Sequence, residues 1–391
     1  MRLLFVFGTR PEAIKVAPVI KILENDKEFI SILGVTAQHR EMLDQVLNLF
    51  EIKPDYDLDI MTDNQDLYDI TSHTLSGIRD ILHKERPDVV LVQGDTTTAF
   101  VAALAAFYAG IPVGHIEAGL RTGDLRAPFP EEANRALIGR LAAYHFPPTE
   151  ESKKNLLREN VPQDKIFVTG NTIVDALLMI RDRVIKKDPQ IWAKQLGSTL
   201  PVIKDPSRRL ILVTGHRREN FGQGFLSICK ALASIARKFR EIEIIYPVHL
   251  NPNVRKPVMN LLGKYENIHL IDPIDYAPFI YLMNRSHIII TDSGGVQEEA
   301  PVLGKPVLVM REVTERPEGI AAGTAILVGT DPDRIFNEAT KLLMDDKAYK
   351  KMSRAHSPYG DGKASQRIIE ILRHYCRSAK VPGRFQPGSR I

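Results

Sequence analysis

The chain has 391 residues, enough for two domains of ordinary size, and its 44% hydrophobic and 26% charged residues are those of a globular protein. The formal charge of +4 is not gathered into one basic block, which argues against a nucleic-acid partner yet suits a phosphate-bearing ligand. Two cysteines without metal-ligand spacing, Cys229 and Cys376, fit a reducing cytoplasm, and the apolar start MRLLFVF is too short for a signal peptide or a membrane span.

That apolar start reads as a buried strand over residues 3–7. Gly8-Thr9-Arg10-Pro11-Glu12 then turns into a helix, with Pro11 suited to its first turn. Arg10 and Lys15 fall at or near the N-terminus of that helix, above a strand end, where phosphate is readily held. A strand over 30–36 and helices over 42–50 and 67–84 follow. The run 89–92 is a strand ending at Asp95, and 112–116 is another ending at Glu117. Glu131 follows Pro130 at the start of the next helix, which runs to about residue 143. In open α/β sheets ligands bind beyond the carboxyl ends of strands, so three acids there suggest proton transfer. Helix capping and solvated loop acids are the plain alternative, and the pattern alone leaves both open.

A short strand over 144–146, a helix after Thr149 and the segment 166–169 end the first half. Residues 171–187 read as a connecting helix. The stretch 188–208, with Pro189, Pro201 and Pro206, reads as a surface excursion or linker. The strand-helix rhythm restarts with strands over 210–214, 242–247, 268–271, 287–291, 306–310 and 325–328. This is a doubly wound α/β pattern in two halves, which predicts a small-molecule cleft between them. Two loops in the second half are site-like. His216, with Arg217 and Arg218 beside it, suits a pyrophosphate. Ser293, Gly294 and Gly295 would open a helix onto phosphate, with Glu299 one turn on for ribose hydroxyls; a plain turn explains Ser-Gly-Gly equally well. No Walker loop, nucleophile elbow, third dinucleotide-fingerprint glycine or zinc spacing occurs.

Taken together, FGTRPEAIK, TAQHREMLDQ, QGDTTT, HIEAGLRTGD, FPEEANR, TGHRREN, YPVHLNP, TDSGGVQEEAP, GKPVLVMR, TERPEG and SPYGDGKAS resemble the non-hydrolysing UDP-N-acetylglucosamine 2-epimerases, in order and up to about Arg377. The resemblance implies a GT-B fold of two Rossmann-like domains, 1–170 and 171–363. The helix 364–377 would return to the first domain; the Pro/Gly-rich basic end 378–391 lies outside the resemblance and reads as a frayed tail. It implies a cytoplasmic homodimer that interconverts UDP-GlcNAc and UDP-ManNAc for surface polysaccharide, without nicotinamide, metal or other cofactor, and without membrane association. The implied route is elimination of UDP to 2-acetamidoglucal and re-addition. Carried over by motif, Asp95, Glu117 and Glu131 are the acid/base residues and His216 stands at the pyrophosphate. Arg10, Lys15, Ser293, Gly294, Gly295, Glu299 and Arg316 would hold the nucleotide, with Phe279 at the uracil. Ile274 departs from the polar residue of some members near the base. A GT-B glycosyltransferase, a hydrolysing epimerase and a non-catalytic UDP-sugar sensor are the competing readings; the three carboxylates weigh against the first and third.

Overall fold

The structure is a computed structural model that describes residues 1–37, 40–61, 65–196, 205 and 207–378. The tail 379–391 and residues 197–204 of the expected linker therefore lie outside the described residues. Among the described residues, twelve strands form two sheets of six, every pairing parallel. The first holds β1 (Arg2–Phe7), β2 (Ile30–Val35), β3 (Tyr56–Asp57), β4 (Val89–Gln93), β5 (Val113–Ile116) and β6 (Tyr144–Phe146). The second holds β7 (Leu210–Thr214), β8 (Glu243–Pro247), β9 (Ile268–Ile271), β10 (Ile288–Thr291), β11 (Val307–Val309) and β12 (Ala325–Leu327).

The first sheet has the order β3-β2-β1-β4-β5-β6, and the second, β9-β8-β7-β10-β11-β12, repeats that winding. Both are Rossmann-like, and in each the strand order reverses once, between β1 and β4 and between β7 and β10. Continuous apolar strands are what a sheet covered on both faces requires. Leu4, Val6, Val90 and Val92 pack with Ala99, Ala102 and Ala106 in one core; Ile211, Val213, Ile244 and Ile290 pack with Phe225 and Leu232 in the other.

The chain divides into a unit of 1–176 with 359–391 and a unit of 177–358. Helix Ala364–Ser378 packs on helix Arg10–Leu23 of the first unit, burying Ile368, Ile369 and Leu372. The Asp175 carboxylate caps it, accepting from the Ser365 N–H at 2.8 Å.

The sequence expectation needs two corrections. Within 188–208, residues Pro189–Leu196 form a helix rather than an irregular excursion. Pro189 opens it instead of breaking it, Asp188 Oδ1 accepts the Gln190 N–H at 2.9 Å, and buried Trp192 stacks on Tyr281 at 5.3 Å. The two-residue strand β3 is additional; it is too short to show a period and is held through Gly34 and Val35 of β2. Segment 166–169 runs beside β6, with the Phe167 N–H on His145 O at 2.9 Å, but adds only an isolated bridge.

Candidate active site

In the first unit, the loops after β1, β4 and β5 converge. Gly8 is required where the chain leaves β1, because a Cβ there would lie 2.0 Å from Thr36 Oγ1. Glu12, fully buried in the first helical turn, ties two of these loops together. Its Oε2 accepts the N–H groups of Gly8 (3.0 Å) and Thr9 (2.8 Å), and its Oε1 accepts the Thr96 hydroxyl at 2.6 Å. Burial raises the pKa of Glu12 against those bonds. Arg10 opens the helix half-buried, with no hydrogen bond or ion pair among the described residues.

Asp95 follows Gly94, whose φ of +70° carries the chain out of β4. The Asp95 carboxylate meets Arg135 Nη2 at 2.5 Å, and its carbonyl accepts the Asn134 amide at 2.9 Å. Burial raises the pKa of Asp95; Arg135 and Lys15 oppose the rise and the charge of Glu117 adds to it. Behind the loop, buried His115 shares a hydrogen bond from Nε2 with the Gly94 carbonyl at 2.7 Å. Burial drops the His115 pKa to about 3, so the ring is neutral and donates from Nε2.

Glu117 leaves β5 with φ +63°, a left-handed conformation uncommon for a side chain of this size. Its carboxylate takes Lys15 Nζ at 2.7 Å on Oε1 and the Asn171 amide at 3.0 Å on Oε2. Glu131 starts helix Glu131–Leu141 half-buried and has no hydrogen bond or ion pair among the described residues. Its neighbour Glu132 is the anchored one, accepting the N–H groups of Thr122 (3.0 Å) and Gly123 (3.1 Å). Of the acids named from sequence, the structure thus puts Asp95 and Glu117 in one electrostatic cluster with Lys15. Glu131 stands outside their bonds.

In the second unit the loops after β7 and β10 are joined by Asp292, which is fully buried. Its Oδ2 accepts the N–H groups of His216 (2.8 Å) and Arg217 (2.9 Å), and Oδ1 stands 3.1 Å from His216 Nδ1. Burial opposes the charge on Asp292, but the His216 ring and those N–H groups outweigh it and lower its pKa. His249 stacks on His216 with ring centroids 5.9 Å apart. Ser293 precedes helix Gly294–Val302, and Gly294 faces the Arg316 guanidinium, 3.5 Å from where a Cβ would stand. Arg316 is held by Glu298 at 2.7 Å and Glu315 at 3.0 Å. Buried Glu299 accepts the Tyr276 hydroxyl at 2.5 Å. Phe279 lies one turn after Tyr276 on the same helix, and Ile274 is half-buried just before it.

Sequence reasoning missed Glu12, Arg135, Asn171, Tyr276 and Asp292. Asp292 had a visible signal, an acid directly after a strand; the others act through partners far along the chain. Among the described residues no cluster of His, Cys, Asp and Glu could hold a metal ion, and no helix is long and apolar enough to cross a membrane.

Residues 21–373 match the family model described as UDP-N-acetylglucosamine 2-epimerase. The chain is 60% identical over 374 residues to the UDP-N-acetylglucosamine 2-epimerase of Escherichia coli K12, covering 96% of this chain and 99% of that one. It superposes on the crystal structure of UDP-GlcNAc 2-epimerase from Neisseria meningitidis bound to UDP-GlcNAc with a TM-score of 0.88 and 53% identity, over 96% of this chain and all of that one. The Methanocaldococcus jannaschii enzyme, solved with UDP-GlcNAc and UDP, gives a TM-score of 0.79 at 34% identity, with 96% of this chain and 100% of that chain covered. With two Rossmann-like units and near-complete coverage by these relatives, the chain belongs to the UDP-N-acetylglucosamine 2-epimerase family.

Proposed function

We propose that this chain is a non-hydrolysing isomerase that interconverts UDP-GlcNAc and UDP-ManNAc. UDP is eliminated to 2-acetamidoglucal and then adds back, with the C2 proton returned on the other face. The observation that carries the reading is the pair of strand-end carboxylates, half-buried Asp95 on Arg135 and buried Glu117 on Lys15 and Asn171. Two neighbouring acids in different surroundings divide the roles of acid and base. Burial favours the protonated form of Asp95, which suits it to deliver a proton. Glu117, with an ammonium and an amide N–H on its oxygens, is suited to accept one. Glu131, free of partners among the described residues, is the third group assigned to this relay.

As the C1–O bond breaks, negative charge grows on the departing pyrophosphate. Arg10, Lys15, His216 and Arg217 are the cations and donors assigned to it, with the Ser293-Gly294-Gly295 turn on the phosphates. Glu299 is assigned to the ribose, Phe279 to the uracil and Arg316 to holding the phosphate turn. Proton transfer by carboxylates accounts for each step, so no cofactor is assigned. The solved relatives from Neisseria meningitidis, bound to UDP-GlcNAc, and from Methanocaldococcus jannaschii, in complex with UDP-GlcNAc and UDP, support this substrate. We place the enzyme in the cytoplasm as a homodimer that supplies ManNAc for surface polysaccharide; that part rests on the sequence resemblance.

The test is turnover of UDP-GlcNAc alone in D2O, followed by NMR. Deuterium should enter C2 of UDP-ManNAc and, by reversal, of UDP-GlcNAc. An 18O label in the C1–O–P bridge should scramble into non-bridging phosphate oxygens. Product without deuterium at C2 overturns the mechanism, and free ManNAc in place of UDP-ManNAc overturns the non-hydrolysing assignment.

A further inference from the structure

Asn171 stands at the start of helix Thr172–Ile185, where none of the catalytic motifs falls, yet it is 2% exposed and its side chain is fully committed. Its Oδ1 accepts the Ile173 N–H at 3.1 Å, the usual capping bond of a helix N-terminus. With the oxygen so used, the amide has one orientation, and Nδ2 donates to Glu117 Oε2 at 3.0 Å. The backbone is pinned as well: the Asn171 N–H donates to Tyr359 O at 2.7 Å. Just before it, Gly170 (φ +87°) passes so close to Gly360 that a Cβ would come within 3.3 Å of its Cα. Both residues belong to the first unit, 171 shortly before the chain leaves it and 359 where the chain returns.

We infer that Asn171 is a positioning residue for Glu117, its amide N–H acting beside the Lys15 ammonium to fix where that carboxylate points and to favour its charged form. A hydrogen bond donated to the charged form of an acid favours that form, and burial strengthens the effect. The bond runs from a segment held by its own helix cap and by Tyr359. Glu117, in its left-handed conformation, is therefore tethered to a rigid point 54 residues away. Lys15, Asp95 and His115 are among the charged or titratable groups that also act on Glu117, and the test leaves all three in place.

This inference rests on the functional reading above, in which Glu117 exchanges a proton with C2. The informative variant is Asn171→Asp, since the new carboxylate still accepts the Ile173 N–H and so keeps the helix cap. Toward Glu117 it replaces a donor with a like charge. The limb of the kcat–pH profile that reports Glu117 should move up by about one pH unit or more, because both changes disfavour a second negative charge. At neutral pH kcat should fall roughly ten- to a hundredfold, the size of one charge-assisted hydrogen bond, with KM for UDP-GlcNAc little changed. Asn171→Ser also keeps a capping oxygen but withdraws the donor without adding charge. It should shift the limb in the same direction by less, and it carries the test if the Asp variant does not fold. A profile with unmoved limbs in the folded variants, or wild-type kcat in both, would overturn the inference while leaving the epimerase reading intact. Wild-type enzyme that places no deuterium at C2 would instead overturn the functional reading, and this inference with it.

Discussion

Lys15 Nζ lies 2.5 Å from Glu117 Oε2, a buried ion pair joining the helix that follows β1 to the end of β5. The two residues are 102 positions apart, and the pair exists because β4 sits between β1 and β5 in the sheet, bringing all three strand ends to one edge. Breaking such a pair from one side leaves an uncompensated charge. Lys15→Met should destabilise the protein by about 3–5 kcal/mol at pH 8. The carboxylate, keeping the Asn171 amide but losing its ammonium, can escape the penalty by taking up a proton, so the loss should shrink toward pH 5. Thermal unfolding at the two pH values checks this. An equal loss at both would mean that the charge left behind on Glu117 is not the cause.

His216 is placed by Asp292, which holds both its backbone N–H and its ring. Because charge on the pyrophosphate grows toward the transition state, a donor placed there acts on kcat more than on KM. His216→Ala should lose roughly 2–4 kcal/mol of barrier stabilisation, as other single electrostatic donors do. An effect confined to KM would reduce His216 to a binding residue.

Much of this was legible from the sequence, because buried parallel strands are short apolar runs and the chemistry sits where each run stops. The strand-end positions of Asp95, Glu117 and the Ser293-Gly294 turn were found in this way; the roles assigned to them are proposals. What stayed hidden was pairing across distance. Arg135 stands one turn beyond Glu131 on the same helix, but nothing local says that it reaches Asp95, 40 residues back. Asn171 looks like the mere start of a helix until the sheet brings it against Glu117. Pro189 looked like a breaker because proline is compatible with a helix start as well as a loop, and buried Trp192 decided between them.

Away from the site, His287 makes the second unit sensitive to acid. Its ring stacks on Tyr349 at 4.0 Å, and burial, then the charge of Arg209, lowers its pKa to about 4. The unfolded chain binds a proton at about pH 6.5 and the folded chain does not until about pH 4. Stability is therefore full above pH 6.5 and falls as pH drops through that window, by up to about 1.4 kcal/mol per pH unit. His287→Phe keeps a stacked ring and removes the proton. It should cost a constant amount for the lost hydrogen bond between the ring and the Leu342 backbone, and flatten this part of the slope in urea unfolding between pH 7 and pH 4. Parallel slopes for the two proteins would assign the acid sensitivity elsewhere, with buried His115 and His145 the next candidates.

Tyr276 holds the carboxylate assigned to the ribose. Its hydroxyl donates to Glu299 Oε1 at 2.5 Å, and both residues are buried. The bond from Tyr276 fixes the direction in which this carboxylate would meet the ribose hydroxyls assigned to it. Tyr276→Phe should thus weaken UDP binding through lost preorganisation, by about 1 kcal/mol, or roughly five- to tenfold in Kd. It should do so with little change in kcat. Loss of affinity alone would not distinguish this from a general disturbance of the helix that also carries Phe279. The discriminating ligand is the 2′,3′-dideoxy analogue of UDP, which lacks the hydroxyls assigned to Glu299. Wild-type enzyme should bind the analogue more weakly than UDP, and the Tyr276→Phe variant should show a smaller gap between the two ligands. The difference of the gaps is a coupling energy between one side chain and one pair of hydroxyls. Calorimetry on four combinations of protein and ligand measures it. An equal loss for both ligands would leave Tyr276 outside ribose recognition, and wild-type enzyme that binds both ligands equally well would withdraw the ribose role from Glu299.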